Sequence, residues 1–262
     1  MKFSNNLKIA LKTSLLAGKQ IIDIYFSDQF NSKLKKDNSP ITDADRASHN
    51  TIIEELSKSS IPILSEEGAE IDYSIRKKWS KFWLIDPLDG TKEFINKNGE
   101  FTVNIALIEN QIPVLGVVYT PVTKELYFAE KDFGSFKIES IEKLEELILK
   151  QTINLSESGA PKDYTIVVSR SHLNKETKEY IAEKKQKFNE LILKQYGSSL
   201  KICKVAEGKA NCYPRLGPTM EWDTAAAHAV IKYSGKSIVN FNSKDELTYN
   251  KESLLNPFFV AE

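Results

Sequence analysis

The sequence predicts an α+β unit followed by an α/β unit, on three observations. Two segments of helical period open the chain, and several strands that look antiparallel follow them. Ser, Gly and Pro then cluster over residues 156–162 and interrupt the pattern. Beyond that cluster strands and helices alternate. The expected division is therefore 1–157 and 158–262. With 41% hydrophobic residues in a chain of 262, a substantial core is expected and disorder is not.

Over 5–26 apolar residues recur at Leu7, Leu11, Leu15, Ile22 and Tyr25, one buried face of a helix. Asp37-Asn38-Ser39-Pro40 breaks that pattern. A second helix is expected from Thr42, whose hydroxyl caps it while Asp45 reaches back as a capping box. Ile52, Ile53 and Leu56 face inward on it. Residues 61–64 form a short strand ended by Ser65-Glu66-Glu67-Gly68. Trp83-Leu84-Ile85 enters a strand that Pro87 is expected to stop, and Lys92-Glu93-Phe94-Ile95 can start a helix. Phe101, Val103, Ile105 and Leu107 alternate along a strand over 101–108. Further strands are expected over 114–119 and 125–129, joined by a turn at Pro121, and a short amphipathic surface helix over 141–150. In the second unit, strands are expected over 164–169, 188–196 and 211–213, and helices over 173–187, 198–208 and 222–234. There is no internal repeat.

The stretch WLIDPLDGTKEF concentrates the chemistry. It sets Asp86 and Asp89 at the end of an apolar strand, beside the first amides of a helix. Neighbouring carboxylates repel, and one must take a proton unless a cation intervenes. Amides at a helix start suit a phosphate. Other acids also stand at element ends. Glu66 and Glu67 follow a strand, Asp43 and Asp45 open a helix, and Asp223 follows Trp222 at another helix start. Each has a plainer explanation as a solvated turn, a cap or a favourable N-terminal charge. Taken together they suggest a metal and phosphate site, and oxygen-only donors suit Mg²⁺.

Several function classes are disfavoured. Lys plus Arg and Asp plus Glu are 36 each, so the zero net charge speaks against a general nucleic-acid binder. It leaves room for a local basic patch that takes a small anion. His49, His172 and His228 lack HxxxH spacing, which disfavours zinc, and no GxxxxGK[ST] run supports a P-loop. Dehalogenase-type phosphatases use DxDGT, whereas Asp86-Pro87-Leu88-Asp89-Gly90-Thr91 is one residue longer. In a strand of period two that spacing breaks their geometry, so no covalent aspartyl-phosphate is assigned. Cys203 and Cys212 form no CxxC pair and are expected as reduced, mostly buried thiols. Lys8, Lys12, Lys19 and Asp23 interrupt the apolar N-terminus, so neither a signal peptide nor a membrane span fits.

The motifs DPLDGT, an upstream SEE and a late WDTAAAHAV together resemble the inositol-monophosphatase-like, Mg²⁺-dependent, lithium-sensitive phosphatases. NSPITDAD, VVSRSH, GSSLKICKVAEGKANCYPRLGP and LLNPFF are similar to the bacterial 3′(2′),5′-bisphosphate nucleotidases of that family. The resemblance implies a layered αβαβα sandwich. It implies hydrolysis of the 3′-phosphate of adenosine 3′,5′-bisphosphate, a by-product of sulfate assimilation, to AMP and phosphate. A metal-activated water would do this without a covalent intermediate, using two or three Mg²⁺ per site. The metal ligands would be Glu66, Asp86, Asp89, Asp223 and the Leu88 carbonyl. Asp45 and Thr91 would orient the water, with Glu66 beside it. Gly90 and Thr91 amides would hold the departing phosphate. Glu66, Leu88, Asp89 and Asp223 would also face the substrate, and His172, Ser198, Lys201 and Arg215 would line the nucleotide pocket. The partner implied is a small nucleotide, with no nucleic acid, no transmembrane segment and no obligate protein partner. A cytoplasmic location is expected, with peripheral association at the inner membrane left open. An inositol or sugar monophosphate phosphatase, or a weakly catalytic nucleotide-binding sensor, are the alternatives. One departure stands out: Ala227 occupies a position where relatives usually carry glycine.

Overall fold

The structure is a computed structural model that describes residues 3–27, 30–35, 40–145, 152–170 and 174–262. Helix α1 (Asn5–Tyr25) starts where Ser4 accepts the Leu7 amide, and it buries Leu7, Leu11, Leu15 and Ile21. Two short strands follow, β1 (Ser32–Leu34) and β2 (Pro40–Thr42), paired antiparallel where the sequence showed only a break. Thr42 then caps α2 (Asp43–Ser57) with the expected capping box through Asp45.

The central sheet has seven strands in chain order. They are β3 (Ile63–Ser65), β4 (Lys81–Asp89), β5 (Thr102–Glu109), β6 (Ile112–Thr120), β7 (Glu125–Glu130), β8 (Gly134–Ile138) and β9 (Ile153–Asn154). The β3–β4 pair is parallel and all later pairs are antiparallel. Two short helices flank β4: α3 (Tyr73–Arg76) before it and α4 (Thr91–Ile95) after it. Pro87 does not stop β4, contrary to expectation. The strand runs to Asp89, and the register slips so that Asp86 pairs with Asn104 and Asp89 with Thr102. A proline lacks a ladder donor, and an irregularity of this kind does not require one there. Of the helix expected over 141–150, residues 141–143 are not helical, and 146–150 lie outside the described residues.

The second half contributes β10 (Tyr164–Ser169), α5 (Lys175–Lys187), β11 (Leu191–Tyr196), α6 (Leu200–Ala206), β12 (Tyr213–Arg215), α7 (Glu221–Lys232), β13 (Ile238–Asn240) and β14 (Phe259–Ala261). Strands β10 and β11 pair parallel, Cys212 bridges to Ile166, and β12, β14 and β13 form an antiparallel trio.

Strand alternation sorts the core into layers. Ile85, Ile105 and Val117 pack with α1 and α2, while Leu84, Ala106 and Val118 pack with α6 and α7. On β10, Val167 joins that second layer, and Ile166 and Val168 face Ile181 of α5. The order is helices, sheet, helices, strands, helix: the αβαβα sandwich. Gly116 brings β6 against α7, since a Cβ there would stand 2.1 Å from the Ala226 carbonyl oxygen. The close approach is thus supplied from the strand, and Ala227 sits fully buried in α7. Among the described residues no helix is long and apolar enough to cross a membrane.

Candidate metal and phosphate site

The irregular end of β4 assembles the site. The Glu66 amide continues the β3–β4 pairing by donating to the Ile85 carbonyl at 3.2 Å, which sets Glu66 beside Asp86. Asp86 is buried and accepts the Leu88 amide at 3.1 Å. Ser48 of α2 donates to the Pro87 carbonyl at 2.6 Å and pins the DPLD turn to the helix. Gly90 has φ +97°, a conformation that a side chain would strain, and it opens α4 at Thr91.

Asp45 and Thr91, 46 residues apart, meet here: the Thr91 hydroxyl donates to Asp45 Oδ1 at 3.0 Å. Asp45 Oδ2 accepts from the Thr42 amide at 2.7 Å and its hydroxyl at 2.5 Å. Asp223 has the same habit at α7, where its Oδ2 accepts the Met220 amide at 2.9 Å. Asp89 Oδ2 accepts the Ser198 hydroxyl at 2.7 Å and the Ser199 amide at 2.6 Å.

The acids are electrostatically crowded. Burial, followed by the charges of Glu66, Asp89 and Asp223, pushes the Asp86 pKa well above the carboxylate range. Burial and the nearby Asp89 charge push Asp223 up to about 8. Burial also raises Asp45, and it raises Glu66 despite the opposing charge of Lys35. Glu66 and Asp86 oppose each other's charge. The Lys35 ammonium bonds Glu66 at 2.8 Å and Glu67 at 2.5 Å. Burial works to lower the Lys35 pKa, but the two carboxylates outweigh it and the net shift is upward.

This donor set fits a hard divalent cation: oxygen only, carboxylate-rich, and too crowded to ionise fully without positive charge. Among the described residues the acids do not converge as a preformed cage. Asp89 and Asp223 each have one oxygen turned to protein donors, and Asp45 has both.

A cavity of about 130 Å³ joins Asp89, Gly90 and Asp223 to Ser198, Lys201 and Arg215. Lys201 donates to the Ser198 carbonyl at 2.6 Å and stands 5.6 Å from the centre of the Tyr213 ring. Burial lowers its pKa to about 8, although Asp89 acts to raise it. Arg215 reaches the Pro218 carbonyl at 2.8 Å, and its buried Nε has no hydrogen-bond partner among the described residues. His172 lies outside the described residues. A larger groove of about 740 Å³, lined by Leu15, Leu16, Ile22 and Phe26 of the α1 region, contains none of these acids.

Some participants had no distinct sequence signal. Nothing in the run KLKKD separates Lys35 from its neighbours. Asn104 had one: it is a polar residue inside the apolar alternation of β5, and it is buried.

The comparisons with known proteins bear on the family and the fold. A profile described as the inositol monophosphatase family matches residues 4–257. The 3′(2′),5′-bisphosphate nucleotidase CysQ of Salmonella typhimurium is 44% identical over 246 residues, covering 93% of this chain and 94% of that protein. Its counterpart from Haemophilus influenzae is 38% identical over 248 residues, 90% of this chain and 85% of that protein. The crystal structure of CysQ from Bacteroides thetaiotaomicron superposes with a TM-score of 0.91 at 47% identity, over 99% of this chain and 97% of that one. With the layered fold, the acid cluster at the DPLDGT turn and these relatives in agreement, the chain belongs to the inositol monophosphatase family.

Proposed function

We propose that the protein is a Mg²⁺-dependent 3′-nucleotidase that converts adenosine 3′,5′-bisphosphate to AMP and phosphate. One observation carries this reading. Asp89 at the β4 end, Asp223 and the cations Lys201 and Arg215 line the same small cavity, which supports a ligand with one phosphate toward the acids and a second toward the cations. The names of the relatives at 38–44% identity support the same substrate.

Glu66, Asp86, Asp89, Asp223 and the Leu88 carbonyl would hold Mg²⁺. When bound, it supplies an acidified water and neutralises charge on the attacking and leaving oxygens. The chain's own part is positioning. Thr91 donates to Asp45, so its oxygen can accept a hydrogen bond from the attacking water. The water proton passes through Thr91 toward Asp45 Oδ1, whose raised pKa suits an acceptor. The water oxygen attacks the 3′-phosphorus in line, the bond to the ribose 3′-oxygen breaks, and that oxygen leaves with a proton from solvent. Gly90 and Thr91 amides hold the departing phosphate, with Glu66 beside the water. Lys201, Arg215 and Ser198 hold the 5′-phosphate. The division of labour follows the division at 157/158. The first part supplies most of the metal site, and the second adds Asp223 and the nucleotide pocket.

The test is phosphate release with Mg²⁺ from adenosine 3′,5′-bisphosphate, inositol 1-phosphate and fructose 1,6-bisphosphate, with a lithium titration. Strong preference for the nucleotide and inhibition by lithium are expected. Preference for either sugar phosphate overturns the substrate assignment. Tight nucleotide binding without release would make the protein a sensor.

A further inference from the structure

Asp89 is held from behind by a buried polar group that neither the fold nor the proposed chemistry has yet required. Thr102 and Asn104 on β5 are both almost fully buried, and the β4 irregularity sets them opposite Asp89 and Asp86. Asn104 Oδ1 accepts from Thr102 Oγ1 at 3.0 Å and from Ser199 Oγ at 2.8 Å. With its carbonyl oxygen engaged twice, the amide presents Nδ2 to Asp89 Oδ2 at 3.4 Å. Thr102 Oγ1 also lies 2.9 Å from Ser199 Oγ, which closes the group. Three donors from two different elements thus reach one oxygen of Asp89: Ser198 Oγ, Ser199 N and Asn104 Nδ2. The backbone is also bent to this purpose. Ser198 has φ +54°, a conformation unusual for a side-chain-bearing residue, directly before the Ser199 amide that meets Asp89.

We propose that Asn104, locked by Thr102 and Ser199, is a positioning residue that fixes the Asp89 carboxylate by Oδ2 and presents its other oxygen to the cation. A carboxylate free to rotate would lose entropy on binding the cation and would offer it several geometries. A carboxylate anchored through one oxygen offers one geometry. Partners of this kind are worth about 10–100-fold in metal affinity when removed. The alternative is that Asn104 and Thr102 merely satisfy each other in the core. That would make them matter for folding and not for the cation.

This inference rests on Asp89 being a metal ligand, so Asp89→Asn is measured alongside. The readout is the Mg²⁺ concentration that half-saturates the rise in melting temperature of the full chain, with kcat and KM followed in parallel. Asp89→Asn is expected to raise that concentration at least tenfold. Asn104→Leu and Thr102→Val are expected to raise it about tenfold as well, while Thr102→Ser, which keeps the hydroxyl, restores the wild-type value. Adding Asn104→Leu to Asp89→Asn should produce no further change, because the positioned group is already altered. If Asp89→Asn leaves half-saturation unchanged, the reading of the site fails and this inference fails with it. If Asp89→Asn shifts it and Thr102→Val does not, the site stands and the positioning role is overturned. Additive effects in the double variant overturn it too. Should Asn104→Leu fail to fold, the Thr102→Val and Thr102→Ser pair decides alone.

Discussion

Asp45 divides its two oxygens between the helix cap and the proposed chemistry. Oδ2 closes the capping box with Thr42, and Oδ1 holds the Thr91 hydroxyl. Substitutions can separate these roles. Thr91→Val keeps the cap and removes the hydroxyl, so turnover should fall about 10²–10⁴-fold with the melting temperature little changed. Thr91→Ser should retain most turnover. Asp45→Ala should lose comparable turnover and, in addition, about 1 kcal/mol of stability from the cap. Steady-state kinetics beside thermal melts check the contrast, and equal stability losses in Thr91→Val and Asp45→Ala would count against it. Asp86 differs, because burial and three carboxylates oppose its charge. Asp86→Asn keeps an acceptor for the Leu88 amide and removes a repelling charge. It should therefore raise the metal-free melting temperature while abolishing Mg²⁺-dependent turnover. These acids were legible in the sequence because strand ends and helix starts can be read locally. Capping and the proposed catalysis are not rival explanations for Asp45, since the cap uses Oδ2 and leaves Oδ1 to Thr91.

At the scale of elements, the contact between β6 and α7 carries Asp223 to the site. Gly116→Ala would force its Cβ to within 2.1 Å of the Ala226 carbonyl, and that carbonyl belongs to a helix backbone that cannot yield locally. A loss of about 1–3 kcal/mol is expected, read as a lower melting temperature, with turnover falling as α7 shifts. Helix α6 is tied to the sheet differently. Glu207, just past its end, bonds Lys137 of β8 at 2.9 Å and Lys204 at 3.2 Å, and the Lys137 side chain is fully buried. Glu207→Gln should cost about 2 kcal/mol by leaving those ammonium groups under-compensated. No loss of stability in urea melts would contradict that. Neither arrangement could be read in advance. The helices and the longer strands announce themselves by period. β8, β9, β13 and β14 are short, and pairing rather than local pattern defines them. Pro87 misled for a related reason, because only the partner strand shows that the register slips there.

For the whole molecule, the candidate constellation is drawn from separate parts of the chain: the β1–β2 region, the α2 start, the β4 end and the starts of α6 and α7. Motif order could suggest that these meet, but contacts such as Lys35 with Glu66, or Asn104 with Asp89, exist only once the layers are packed. Packing also concentrates negative charge, and that has a consequence for stability against pH. A carboxyl whose pKa rises on folding binds its proton more tightly in the folded state. Its stabilising contribution is complete below its ordinary pKa and is lost as pH rises through the raised value. Asp223, raised from 3.8 to about 8, must therefore destabilise the metal-free fold as pH climbs toward 8, and Asp86 and Glu66 are shifted in the same direction. His49 and His228 act oppositely: burial lowers both from 6.5, so their effect is finished above that pH. Glu207 and Glu246, each lowered to about 2, matter only in acid. Lys201, lowered from 10.5 to about 8, adds stability mainly above the window as it sheds its proton. Between about pH 6.5 and 8 the acid cluster therefore dominates. With a chelator present the melting temperature should fall across that range. Saturating Mg²⁺, which favours the ionised acids, should flatten or reverse the slope, and Asp223→Asn should flatten it without Mg²⁺. A metal-free melting temperature that stays level or rises from pH 6.5 to 8 would show that the crowded carboxylates are not what limits the stability of this fold.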